Sequence, residues 1–280
     1  MTRLGFVVVA MLAGTGQLLP PAWAADAPPP AAGIERSRLF AFADGDRLED
    51  AGVIAVKGGR FARTEAFEVV RRADGGRTLT STTTAADGSY RVEGRWTFSA
   101  DESAQAAHGL ASYGGTPAQV DITVVPPAAT IAVAMNGAER QVTAPCDPCL
   151  IDMSPSALPM FTMTRRYDQA RGGVQTFDWI GRGLIQDIAL TEGHADLRKV
   201  RTAQVPGPDG APVTVNQYHF VETLKDPIAG HAMQLAFNLY VDGADRPLGF
   251  AMQKGTTGMR TGYDDLTVRM PPVFEPEGAP

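Results

Sequence analysis

Tyr90-Arg91-Val92-Glu93-Gly94-Arg95-Trp96-Thr97-Phe98 alternates almost without a break, with Tyr90, Val92, Trp96 and Phe98 on one side and Arg91, Glu93, Arg95 and Thr97 on the other. Successive side chains of a strand point to opposite faces, so this stretch reads as a half-buried strand with one dry and one wet face. The same rule reads His231 to Val241 as a second strand. There His231, Met233, Leu235, Phe237, Leu239 and Val241 alternate with Ala232, Gln234, Ala236, Asn238 and Tyr240. It also predicts strands near 66–72, 77–84, 119–125, 130–135, 138–143, 184–191, 196–202, 213–222, 248–253 and 265–269.

Turn chemistry falls in the gaps. Asn136-Gly137 sits between two apolar runs, where a two-residue type I′ turn needs positive φ at both positions. Asp74-Gly75-Gly76, Asp87-Gly88, Pro208-Asp209-Gly210 and Asp242-Gly243 mark further reversals. Connections this short join antiparallel neighbours, so the body reads as an antiparallel meander. One segment departs from the pattern. Ser154-Pro155 resembles a helix start, Leu158, Phe161 and Arg165 follow at helical spacing, Pro159 limits the regularity, and Gly172-Gly173 ends the run.

A sheet of about a dozen strands must close, split or curl to bury its apolar face. The expected fold class is therefore mainly β: a large, curved antiparallel sheet, a half-barrel or open barrel. Its concave face is covered by one short helical segment from Met153 to Tyr167.

Composition sets outer limits. The chain has 280 residues with 30 Gly, 21 Pro, 44% hydrophobic and 20% charged residues, which excludes collagen-like, disordered and multi-span membrane classes. There are 25 basic and 31 acidic residues, a net charge of -6, with no basic patch, so a nucleic-acid or anionic-membrane partner is not expected. Residues 1–24 have the build of a secretory signal peptide. Arg3 supplies the positive start, Leu4 to Leu19 the apolar stretch, and Ala22-Trp23-Ala24 a small-x-small site. The apolar run is short of the ~20 residues of a spanning helix. Cleavage after Ala24 places the chain in the periplasm, with no transmembrane segment in the mature form. Residues 25–35 form a Pro/Ala-rich leader, 36–270 a single β domain, and 271–280 a flexible tail.

Both cysteines lie in Cys146-Asp147-Pro148-Cys149. In an oxidising compartment a disulfide is the expected state, and closing so short a loop stabilises by about 2 kcal/mol, enough to fix one turn. A redox-active CxxC belongs at a helix start in a parallel βαβ unit, which the strand-rich surroundings do not supply. A zinc site lacks a second pair of ligands.

With the exported start, the hairpin at Asp87-Gly88-Ser89-Tyr90, the Phe177-Asp178-Trp179 strand and the mid-chain helical lid, the chain resembles uncharacterised bacterial secreted proteins that share the half-barrel of the periplasmic lipoprotein carriers. The likeness spans roughly residues 60–270. It implies a hydrophobic cavity that holds acyl chains and no catalytic residues. The chain departs from the family in its CxxC and in having one helical segment.

The residues themselves point the same way. Met160, Met163, Met233 and Met252 are flexible thioethers on apolar faces, suited to varied apolar shapes. With Trp96, Phe98, Phe161, Trp179, Leu235, Phe237 and Phe250 they form the expected ligand-binding set, for a lipid or acyl chain or an apolar segment of an envelope protein. No GxSxG, HExxH, GxGxxG or phosphate loop is present, and no cofactor or metal is expected. His108 and His194 sit beside Gly in turn-like sequence. His219 and His231 flank one connection near Glu222 and Asp226, a weak metal or acid/base arrangement. Asp264-Asp265 and Asp242/Asp245 are acidic turns without the ligand density of a calcium loop. The chain therefore reads as non-enzymatic. The rivals are an envelope enzyme, either a hydrolase or a thiol-disulfide protein using Cys146 and Cys149, and an assembly module of an envelope complex.

Overall fold

The computed structural model describes residues 43–58, 62–135, 137–153, 155–181, 191–225, 232–253 and 255–274. The first half gives β1 (Arg47–Lys57), β2 (Arg63–Arg71), β3 (Arg77–Ala85), β4 (Tyr90–Phe98), β5 (Ala104–Tyr113), β6 (Thr116–Val125), β7 (Ala128–Met135) and β8 (Ala138–Pro145). The second half gives β9 (Cys149–Asp152), α1 (Leu158–Arg166), β10 (Val174–Gly181), β11 (Thr191–Pro206), β12 (Pro212–Lys225), β13 (Ala232–Asp242), β14 (Pro247–Met252), β15 (Thr257–Arg260) and α2 (Leu266–Arg269).

All the strands among the described residues belong to one open, 15-stranded sheet in the order β8-β7-β6-β5-β4-β3-β2-β1-β15-β14-β13-β12-β11-β10-β9. Two meanders meet where β1 pairs with β15, Ile54 opposite Arg260. The expectation of a large, mainly β, antiparallel sheet holds, with one exception at its end. β9 runs parallel to β10, Asp178 opposite Cys149. Parallel neighbours need a long crossover, and the segment carrying α1 is that crossover.

The sheet curls onto itself. The Trp96 indole nitrogen on β4 donates to the Ile151 carbonyl on β9 at 3.1 Å, although these strands are fifth and last in the sheet order. The terminal strands β8 and β9 are consecutive in the chain, joined through Cys146, Asp147 and Pro148. The sheet is thus unclosed by hydrogen bonds, yet its two ends meet at one short loop.

Alternation sorts side chains between two cores. Phe67 and Val69 of β2, Trp96 and Phe98 of β4, Tyr218 and Phe220 of β12 and Phe237 and Leu239 of β13 face inward with α1 in the main core. Val215, Tyr240, Leu248 and Met259 face outward in a smaller core with Leu266 of α2 and Met270. Pro271 and Val273 continue along this outer face. The Pro271 carbonyl accepts from Gln217, and Val273 exchanges hydrogen bonds with Asn238.

Several expectations are corrected. Residues 265–269, read as a strand, form α2, where the amides of Arg269 and Met270 donate to the Asp265 and Leu266 carbonyls; five residues are too few for a period to separate strand from helix. α1 begins at Leu158 rather than after Ser154-Pro155, with Pro159 in its first turn, where the missing N–H is harmless. His108 and His194 lie within β5 and β11, not in turns. β1, β5, β9 and β15 were not foreseen: β5 buries Ala104, Ala107 and Ala111 where larger apolar residues would signal a strand, and β1 carries an irregularity between Leu48 and Asp50. Ser154, Asn136, Asp226, His231, residues 1–35, most of 184–191 and 275–280 lie outside the described residues.

Candidate functional site: the concave face and its buried carboxylates

The inward rows of the sheet bring most of the expected ligand-binding residues together. Trp96, Phe98, Phe161, Met163, Trp179, Phe237 and Phe250 are all buried in the main core, and Met160, Leu235 and Met252 are half-buried against it. Met233 lies on β13 opposite Leu224 of β12. Phe237 packs on Phe220 and Phe250 at centroid distances of 5.5 and 6.3 Å. A cleft of about 320 Å³, counting its open mouth, separates α1 from the sheet, lined by Val69, Leu79, Phe98, Leu158 and Phe161 with charged side chains at its rim. Room for a water centre within it amounts to about 20 Å³, enough for one water and well short of an acyl chain.

α1 is held over this face by a carboxylate. Its N-cap is Ala157, which has no capping side chain, so the first amides need partners from elsewhere. Glu65 of β2, fully buried, supplies them: the Ala157 N–H donates to Oε2 at 3.0 Å and the Ser156 hydroxyl to Oε1. The Leu158 N–H and the Ser81 hydroxyl both donate to Ser156 Oγ, at 3.3 and 3.4 Å. A negative charge at a helix N-terminus also meets the favourable end of the dipole.

Two more acids lie within electrostatic reach. Burial, followed by the charge of Glu65, raises Asp152 to about 7, opposed by Arg63. Burial, followed by Asp152, raises Glu222 to about 8. Glu65 is itself pushed up by burial, against the hydrogen bonds from Ser156 and Ala157. Chemically, Asp152 and Glu222 keep part of their protons at neutral pH, where isolated carboxyls would have released them. Among the described residues no group of three or more His, Cys, Asp or Glu is placed to hold a metal ion.

The sequence singled out Glu222 only beside the histidines and did not single out Glu65 or Asp152. A signal was present: Glu65 shares the dry row of β2 with Phe67 and Val69, and Glu222 that of β12 with Tyr218 and Phe220. A charge in an apolar row needs a partner.

The described histidines, His108, His194 and His219, do not form a site with these acids. His219 faces the outer side, ring to ring with Phe274 at 6.4 Å, whereas Glu222, three residues on, faces inward. His108 Nδ1 pairs with Asp121 across β5 and β6 at 2.5 Å, and His194 is exposed opposite Asp178. Three of the four carboxylates in the acidic turns are occupied as well. Asp242 accepts from the Ala244 and Arg246 amides and from the Arg246 side chain, Asp264 pairs with Lys57, and Asp265 with Arg269.

Cys146 and Cys149 are joined in a disulfide, Cα to Cα 4.8 Å, and each residue is 1% exposed. Exchange requires a thiolate to reach a sulfur, and such burial denies that approach. None of the helices among the described residues is long and apolar enough to cross a membrane.

No family model matches the chain, and a comparison with curated proteins returned no match. Among solved structures it is similar to a DUF1089 family protein from Pseudomonas aeruginosa, with 13% identity, a TM-score of 0.40, and coverage of 75% of this chain and 95% of that one.

Proposed function

We propose that the protein is an exported, periplasmic, non-enzymatic binder of an apolar ligand, a lipid or acyl chain, held on the concave face beneath α1. The observation that carries this reading is the disproportion between the face and its cover. Among the described residues, the inward rows of a curled 15-stranded sheet are mainly apolar, and the only helix laid on them is nine residues long. That helix is attached at its N-terminal end by the Glu65 carboxylate, and the cleft beside it opens to solvent. A cover of one short helix is a natural means of admitting a chain that the closed cleft is too small to hold. The three half-buried side chains Met160, Leu235 and Met252 border the main core and supply adaptable apolar contacts.

Native mass spectrometry and solvent extraction of protein purified from the periplasm of a bacterial host test the reading. An apolar molecule released in stoichiometric amount is expected, on a chain whose N-terminus is Ala25. A ligand-free, folded protein that also fails to take up added fatty acids or phospholipids would overturn it.

A further inference from the structure

The cleft beside α1 has a rim whose chemistry goes beyond an apolar site. Four charged residues, Arg77, Glu102, Arg165 and Asp245, share it with the apolar floor. Arg77 is fully engaged: its Nε reaches Glu49 Oε2 at 2.6 Å and its Nη1 pairs with Glu102 Oε1, while Arg71 holds the other Glu49 oxygen at 2.8 Å. The remaining groups are engaged only in part, Glu102 with Arg77 and Asp245 with the Thr164 hydroxyl. Glu102, 9% exposed, keeps its Oε2 buried with no hydrogen-bond partner, and Asp245 Oδ1 is buried in the same condition. Arg165, in the last turn of α1, makes no hydrogen bond or ion pair within 4.0 Å to any described residue.

The rim thus presents two unfilled acceptor positions on carboxylates and one unfilled guanidinium fork. Buried polar groups are almost always satisfied, and several open ones around one cleft mark a place where a ligand supplies the partners. Both acids also sit on left-handed backbone, Glu102 at φ 64° and Asp245 at φ 56°, a conformation that non-glycine residues rarely hold.

Charge balance narrows the class. Glu49, Glu102 and Asp245 offset Arg71, Arg77 and Arg165, so the cluster is neutral as it stands. A purely anionic head would fill the Arg165 fork but face the open oxygens of Glu102 and Asp245 with like charge. An uncharged head can offer these ionised groups only singly charge-assisted hydrogen bonds, weaker than those between two charged partners. A head carrying an ammonium donor and a phosphate acceptor satisfies both sets and keeps the site neutral.

We propose that this rim is the headgroup site for a zwitterionic amphiphile, its phosphate on Arg165, its ammonium between Glu102 and Asp245, and its chain against Val69, Leu79, Phe98, Leu158 and Phe161. The proposal rests on the apolar-ligand reading and names the class of ligand. Because the closed cleft holds about one water's worth of space, the chain enters as α1 moves away from β2 to β4.

Isothermal titration of the full-length chain with a short-chain phosphatidylethanolamine, the matched phosphatidylglycerol, the matched diacylglycerol and chain-free phosphoethanolamine tests it. The phosphatidylethanolamine is expected to bind at least tenfold tighter than the other two lipids, and the free headgroup not measurably. Arg165→Gln and Asp245→Asn, with unchanged melting temperatures, should each remove that preference; Arg165→Lys, the replacement if Arg165→Gln does not fold, should weaken it through loss of the fork. Equal binding of the three lipids overturns the headgroup assignment and leaves the apolar site standing. No lipid binding by a folded chain overturns both. Phosphoethanolamine binding as tightly as its lipid assigns the rim to a soluble zwitterion and overturns the amphiphile.

Discussion

The Trp96 indole N–H donates to the Ile151 carbonyl at 3.1 Å inside the core, and through it β4 is tied to the last strand of the sheet. Trp96→Phe keeps most of the buried ring area and removes the donor, so the Ile151 carbonyl is left unpaired at a cost of about 1–3 kcal/mol. Trp96→Ala should cost about 3–5 kcal/mol. Gly94 gives an independent check, since a Cβ there would run into the Trp96 indole. Gly94→Ala is expected to destabilise as well, and urea unfolding of the three variants would rank them. Equal stability of Trp96→Phe and the parent would show that the bond across the curl contributes nothing.

The sheet was legible where large apolar residues alternate with charges, as in Tyr90 to Phe98, and faint where alanines do the packing, as in Ala104, Ala107 and Ala111. Strand order followed from short turns except at the two long-range joins. The β1 to β15 pairing and the parallel β9 to β10 pairing rest on contacts that no local pattern encodes. The concave site was legible in its apolar members for the same reason. Its polar members Glu65 and Asp152 were not, because burial of a carboxylate depends on partners, Ser156, Ala157 and Arg63, brought from other elements.

The disulfide joins the segments that begin and end the sheet. Cys146 follows β8 and continues its ladder, its amide donating to the Pro127 carbonyl at 2.8 Å, and Cys149 opens β9. Cys146→Ser with Cys149→Ser should cost about 2 kcal/mol from loop entropy. Because the bond sits at the seam, the loss should appear locally first, as faster amide exchange in β8 and β9 than in β2 to β4. Exchange that rises evenly across the sheet would show that the bond stabilises the fold without holding the seam.

Asp152 and Glu222 set the response to pH. Their folded values, about 7 and about 8, lie above the ordinary values of 3.8 and 4.5, so between these limits the folded chain holds more protons than the unfolded one. Stability must then fall as pH rises through that window. The melting temperature is expected to be highest near pH 5 and to drop by several degrees by pH 9. Asp152→Asn and Glu222→Gln, which cannot ionise, should each flatten the slope. A melting temperature that rises between pH 5 and pH 9 would contradict the burial of these carboxyls.

Glu65 fastens the N-terminal end of α1 to the sheet. Its carboxylate takes the place of an N-cap side chain for a helix of nine residues, a length at which a helix does not hold itself together in water. Ser156→Ala removes one of the two donors to a buried carboxylate and the acceptor for the Leu158 amide, a loss of about 1–3 kcal/mol. Glu65→Gln keeps the shape and one acceptor oxygen but turns an acceptor into a donor facing the Ser156 hydroxyl or the Ala157 amide. Both variants should loosen residues 155–167 ahead of the sheet, seen as faster amide exchange there and easier uptake of an apolar dye, while β2 and β3 keep their protection. Uniform loosening of β2, β3 and α1 together would mean that Glu65 is part of the core rather than the fastening of its cover.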